Sequence, residues 1–138
     1  MNWTLVLLLS LFGFAMAFAT VFVIPSTTEP LFWLAIFVVC AYLIARQAPG
    51  RPFLHGLMVG IVNSVWITSA HLLFFDQYVA NHPQEAQMMT KMPLAPKVMM
   101  AVTGPIVGVV SGVILGLFAM IAGALLWRGR SRQSRRAT

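Results

Sequence analysis

The chain has 138 residues, 59% hydrophobic and 9% charged. That leaves too little polar surface for a water-soluble domain of this size and assigns the chain to a lipid bilayer. The formal charge of +6 sits largely in two short segments, Arg46 to Arg51 and Arg128 to Arg136. No folded basic domain surrounds them, so nucleic acid is not an expected partner.

The first predicted element is an apolar run from Trp3 to Ile24, stopped by Pro25. It is long enough to cross a hydrocarbon core of about 30 Å, which takes roughly 20 residues of helix. Ala15-Met16-Ala17 resembles a signal-peptide cleavage pattern, but no Lys or Arg precedes the run and it continues to Ile24. A retained span is therefore expected. The second span covers about 28 to 45. Its uninterrupted core from Leu31 to Ala45 spans only about 22 Å, so the Ser26 to Pro30 segment is needed as a capped first turn. Cys40 lies within it among Val and Ala, a small buried hydrophobe without a cysteine partner in the chain.

The third span covers 53 to 75, entered through Pro52 and ended by Asp76. At about 100° per residue, Gly56, Gly60, Asn63, Ser64, Thr68 and His71 fall within an arc of about 140°, one small and polar face. An outer loop, 76 to 97, follows. Within it Pro83 to Met92 begins with a proline and an early acid and stops before Pro93, which predicts a short helix with Met88, Met89 and Met92 on one face, lying on the membrane surface or capping the helices. The fourth span covers 98 to 127, with a kink expected at Pro105. Gly104, Gly108, Gly112 and Gly116 recur every four residues and stack on one face. In lipid, where little hydrophobic drive joins helices, such a face permits close backbone approach. Spans three and four are expected to pack on each other, with Gly56 and Gly60 in that seam. The tail, 128 to 138, is basic and expected to be disordered.

Charge sets the direction. Arg46, Arg51 and the tail arginines oppose only Lys91 and Lys97 on the other side, which puts both termini in the cytoplasm and requires an even number of crossings. The expected fold class is thus an all-α integral membrane protein, a four-transmembrane-helix bundle with cytoplasmic termini. Trp3, Trp33 and Trp127 fit interfacial anchors. Arg128, Arg130, Arg132, Arg135 and Arg136 serve as topological anchors or contact anionic lipid head groups.

Asn63, Ser64, Thr68 and His71 are either a satisfied packing seam or a polar pathway through the membrane. The spans hold no carboxylate: Glu29 is at the outer end of the second, and Asp76 and Glu85 are in the loop. That argues against a proton-coupled pump. A third chemistry is metal binding, since thioethers are soft ligands suited to Cu(I) and His82, Met88, Met89 and Met92 lie together in the loop, with Met99 and Met100 close by. The order Met88-x-x-x-Met92 then Gly104-x-x-x-Gly108 resembles a motif of the Ctr-type copper transporters, although here the methionines are followed by Pro93 and Pro96 and lie outside a spanning helix. Hydrolase, redox and phosphate-loop signatures are missing, and Ser64 lies about two turns from His71, too far for a nucleophile and its base.

The stretch from Phe53 to Gly129 also resembles an uncharacterised bacterial family of small four-helix inner-membrane proteins, through Phe74-Phe75-Asp76, His82-Pro83, the Met88 to Pro93 segment, Pro105 and Gly108, Gly112 and Gly116. The resemblance implies architecture and a bacterial inner membrane, and no activity. Together these features favour a non-enzymatic polytopic protein that acts through helix contacts, as a homo-oligomer or as an accessory subunit of a membrane complex, without a cofactor. A small-solute or ion transporter or channel using the third-span polar face is the alternative, and copper handling by the outer loop the third.

Overall fold

A computed structural model describes the backbone of residues 1–136 and the side chains as far as Arg128. The chain is all-helical, 85% helix, with no strand among the described residues. Six helices follow in order: α1 (Trp3–Phe22), α2 (Glu29–Gln47), α3 (Pro52–Leu73), α4 (Phe75–Asn81), α5 (Pro83–Thr90) and α6 (Pro96–Arg136). Four of them, α1, α2, α3 and α6, are long and apolar enough to cross a membrane.

Local chemistry sets the boundaries. Asn2 caps α1, its side-chain oxygen accepting from the Leu5 amide at 3.1 Å. Proline stands in the first turn of α2, α3 and α5, where its missing N–H costs nothing. Glu29 in the first turn of α2 and Arg46 in its last turn complement the helix dipole. Helix α6 runs on through Pro105, which lies inside it. It also carries on through the basic tail to Arg136, because Arg, Gln and Ser permit helix and nothing there stops one.

The segment 76–97 departs most from expectation. It is largely helical: α4 follows α3 after Phe74, and α6 starts at Pro96. The short helix predicted for Pro83 to Met92 ends at Thr90, and Met92 lies in the turn beyond it. Its methionines do not share a face, since neighbouring helical positions differ by about 100°. Met88 points outward while Met89 packs inward with Tyr78 and Met100.

Helix α3 is the centre of the packing, with α6 along one side and α1 along another, while α2 rests mainly on α6. The buried residues of α1, Leu5, Val6, Leu9, Ser10, Gly13, Met16, Ala17, Thr20 and Val21, recur with the helical period and form one stripe. A core of Leu5, Val6, Leu9, Cys40, Ala41, Ile44, Val59, Leu115 and Ala119 joins the four long helices toward one end. There the Asn2 amide donates to His55 Nε2 at 2.9 Å, and His55 Nδ1 donates to the Arg51 carbonyl at 2.8 Å, tying the start of α1 to the start of α3. A second cluster, Val21, Tyr78 and Met100, closes the opposite end beneath α4.

Candidate functional site: a cleft between α2, α3 and α6

The small residues of α3 and α6 meet within the chain. A Cβ added to Gly56 would lie 2.5 Å from the backbone of Gly116, and one added to Gly60 would fall on the backbone of Gly112 and 2.8 Å from the Gly108 carbonyl oxygen. A Cβ on Gly112 would meet the Leu57 carbonyl oxygen at 2.6 Å, and one on Gly116 the Phe53 carbonyl oxygen at 2.7 Å. Backbone stands against backbone, so these positions have no room for a side chain.

The polar residues of α3 seat against glycines of two different helices. Ser64 packs on Gly108 and Thr68 on Gly104 of α6, whereas Asn63 turns the other way, onto Gly13 of α1. Gly13 was not among the residues singled out from the sequence. Its role could have been found only by pairing it with Asn63, 50 positions away. The four polar residues therefore do not form one continuous row of side chains. Ser64 donates to the Ile61 carbonyl at 2.8 Å, and the buried Asn63 Oδ1 and Thr68 Oγ1 have no hydrogen-bond partner.

Beyond the seam the helices separate. The buried residues of α2, Cys40, Ala41, Ile44 and Ala45, all lie in its second half. The first half, from Glu29 to Phe37, faces α3 and α6 across a cleft of about 720 Å³. On α6 the lining extends from Met100 to Phe118, about 27 Å of helical rise and most of a bilayer core. Asn63, Ser64, Thr68 and His71 all contribute to the lining from α3. Leu34, Phe37, Ile67, Val107 and Ile114 make the rest of the wall largely apolar. A cavity of this size with a few convergent polar groups suits a small organic molecule.

One end of the cleft holds the most chemistry. Glu29 and Glu85 line it with His71, Tyr78, Trp33 and Ser26. Trp33 Nε1 donates to Glu29 Oε1 and the Ser26 hydroxyl to Glu85 Oε2, each at 3.0 Å, which aims one carboxylate from α2 and one from α5 into the same space. Tyr78 of α4 is sandwiched between two imidazoles. Its ring centroid is 4.1 Å from that of His71, at 27° between planes, and 4.3 Å from that of His82, at 14°. Burial first, and the Glu29 and Glu85 carboxylates next, push the Tyr78 phenol up to about 12, so it stays a neutral donor.

The outer ring of this stack, His82, is completely buried. Its Nδ1 donates to the Tyr78 carbonyl at 3.1 Å. Its Nε2 faces Glu29 Oε2 at 3.7 Å, beyond hydrogen-bond distance. On the inner side, Thr20 Oγ1 lies 2.9 Å from the Met16 carbonyl and 3.1 Å from His71 Nε2. With the hydroxyl proton given to the carbonyl, His71 Nε2–H donates to Thr20. His71 is thus fixed from α1 while it lines the cleft.

The residues considered for copper are dispersed. His82 is enclosed, Met89 points inward, and Met88 and Met92 are 59% and 48% exposed. No group of three or more His, Cys, Asp or Glu able to hold a metal occurs among the described residues. At the opposite end of the molecule Arg46, Pro49, Pro52, Gly123 and Trp127 line a smaller cavity of about 350 Å³. Arg128 is exposed beside it. The side chains of Arg130, Arg132, Arg135 and Arg136 lie outside the described residues.

No protein-family model, curated protein or solved structure matches this chain.

Proposed function

We propose that this is a multi-pass protein of a bacterial inner membrane, a four-helix bundle with both termini in the cytoplasm, that holds a small solute in the cleft between α2, α3 and α6 and passes it across or along the membrane. The observation that carries this reading is the cleft: about 720 Å³ lined by apolar walls, four polar residues of α3 and two carboxylates. Leu34, Val107 and Ile114 of its lining are exposed, so the cleft is a groove open along one side. The orientation is supported by Arg46, Arg51 and Arg128 sharing the end at which α1 begins, with Lys91 and Lys97 as the lysines of the other.

A role through helix contacts loses the residues that motivated it. The α3 and α6 glycines are engaged within the chain, so a homo-oligomer or accessory subunit would need another surface. The test is flux. Liposomes containing the protein should release a mixture of small organic solutes faster than empty liposomes, and Ser111→Trp, which puts an indole into the half-buried α6 wall of the cleft, should abolish the difference. Equal release with and without the wild-type protein refutes transport.

A further inference from the structure

We propose that the smaller cavity, at the end where α1 begins, seats the head group of an anionic phospholipid, its phosphodiester on Arg46 and its chains leaving past Met120. The cavity exists because α6 parts from its neighbours beyond the glycine seam. A Cβ on Gly116 would meet the Phe53 carbonyl oxygen at 2.7 Å, whereas one on Gly123, about two turns on, would meet only the Ala45 Cβ, at 4.0 Å. The resulting space, about 350 Å³ between the last turn of α2, the start of α3 and α6, is at the small end of ligand pockets.

Charge selects the occupant. Arg46 stands in the last turn of α2 and lines the cavity. Tyr42 holds it in place: Arg46 Nη1 donates to the Tyr42 hydroxyl at 3.1 Å, and the guanidinium carbon lies 5.7 Å from the Tyr42 ring centre. A guanidinium carries five N–H groups, and among the described residues no carboxylate pairs with this one. Its planar fork suits bidentate contact with a phosphate. Arg51 and Arg128 add two positive charges at the same end, while the three acidic side chains lie in the first turns of α2, α4 and α5, toward the other. Basic pockets between spanning helices are where anionic head groups bind.

The apolar part of the lining favours a lipid over a free phosphate. Met120, Gly123, Ala124 and Trp127 recur at helical spacing on one face of α6. Met120 is 48% exposed, so the cavity opens onto the apolar outer surface of the helix, with Leu117 exposed about a turn further along. Trp127, exposed at the end of the apolar run, is of the type that anchors where head groups meet chains. A ligand with an anionic head and hydrocarbon chains uses both surfaces, and a free anion uses one.

The test uses the full chain, stripped of lipid in mild detergent, and counts bound molecules by native mass spectrometry during titration with dioleoylphosphatidylglycerol, dioleoylphosphatidylcholine or glycerol phosphate. The two lipids share chains and a phosphodiester and differ in net charge. The first phosphatidylglycerol should bind about tenfold more tightly than phosphatidylcholine. Arg46→Gln should weaken it about fivefold, the effect of one arginine near a lipid surface. Gly123→Leu, which fills the cavity without touching a charge, should weaken it by about as much. Arg51→Gln removes the same charge from the same end but not from the cavity lining, and should weaken binding by less than about twofold. Equal affinity for the two lipids overturns the proposal, as do equal losses in Arg46→Gln and Arg51→Gln, which mean diffuse attraction. Glycerol phosphate bound as tightly as the lipid overturns the lipid assignment in favour of a free phosphate. Should Gly123→Leu fail to fold by circular dichroism, the comparison of the two arginine variants decides alone.

Discussion

Replacing Gly56 with Ala tests how closely α3 and α6 must approach. The new Cβ would lie 2.5 Å from the Gly116 Cα and N and 2.8 Å from the Leu115 carbonyl carbon, where ordinary contact begins at 3.4 Å. All three obstacles are backbone, so no side chain can swing aside and the helices must separate by on the order of 1 Å. A gap of that size forfeits roughly a quarter to a half of the dispersion energy of each contact along the seam, and overpacking of this kind costs about 1–3 kcal/mol. Alanine recovers up to about 1 kcal/mol as the better helix former, so the net loss is about 0–2 kcal/mol, and about 1–3 kcal/mol relative to a glycine-to-alanine change without a clash. Gly60→Ala should cost a similar amount. The pair together should cost less than the sum, because one separation relieves both clashes. Gly123→Ala is the internal control: its nearest neighbour would be the Ala45 Cβ at 4.0 Å, so it should be neutral or up to about 1 kcal/mol more stable. The assay is unfolding of the purified protein in mixed micelles with rising SDS, followed by circular dichroism. If Gly56→Ala and Gly60→Ala unfold at the same SDS fraction as Gly123→Ala, backbone contact at the seam is refuted.

Further consequences follow from the polar contacts. Thr20→Val leaves the buried His71 Nε2–H without its acceptor and should cost about 1–3 kcal/mol in the same assay, with Thr20→Ser close to wild type; unchanged stability of the valine variant would show that the 3.1 Å contact contributes nothing. Tyr78 holds its proton more tightly when folded, with its phenol raised from 10.0 to about 12. Its contribution is therefore complete below pH 10 and drains away as pH rises toward 12. Tyr78→Phe should lack that alkaline loss of stability, and parallel wild-type and Tyr78→Phe curves from pH 9 to 12 would contradict the placement of Tyr78 beside the carboxylates. Flux in liposomes should vanish in Ser111→Trp, while Val110→Trp, on the exposed side of α6, should transport normally.

How much of this was legible in the sequence depends on range. The four long helices were readable because apolar runs end at Pro25, Pro52 and Asp76 and at the Arg-rich segments, and the limits of the bilayer leave little freedom in length. The α3–α6 seam was readable from the four-residue glycine spacing, since one face of one helix is a local property. Helix α4 was not readable, because seven residues carry too little periodicity, and its burial rests on one aromatic, Tyr78, packing against α1 and α6 residues distant in sequence. The cleft was half visible. Asn63, Ser64, Thr68 and His71 shared a face, but that face proved to be divided between α1 and α6. Glu29 read as the outer end of the second span and Glu85 as part of the outer loop, and only folding brings carboxylates 56 positions apart into one cavity. The available signal was their scarcity: in a chain with three acids, each position carries unusual weight.

The cleft is a solute site only if water and small solutes reach the middle of α6 through it. The chain's single cysteine, Cys40, is buried, so in a Cys40→Ala background one cysteine can be placed at Ser111, in the cleft wall, or at Val110, on the exposed face. Both are then treated, in sealed vesicles, with the membrane-impermeant cation 2-(trimethylammonium)ethyl methanethiosulfonate, and labelling is read by intact mass. Rapid labelling of Ser111→Cys, with Val110→Cys unreactive in lipid, is the predicted result. Unreactive Ser111→Cys, or equal labelling of both positions, would contradict a solute-accessible cleft.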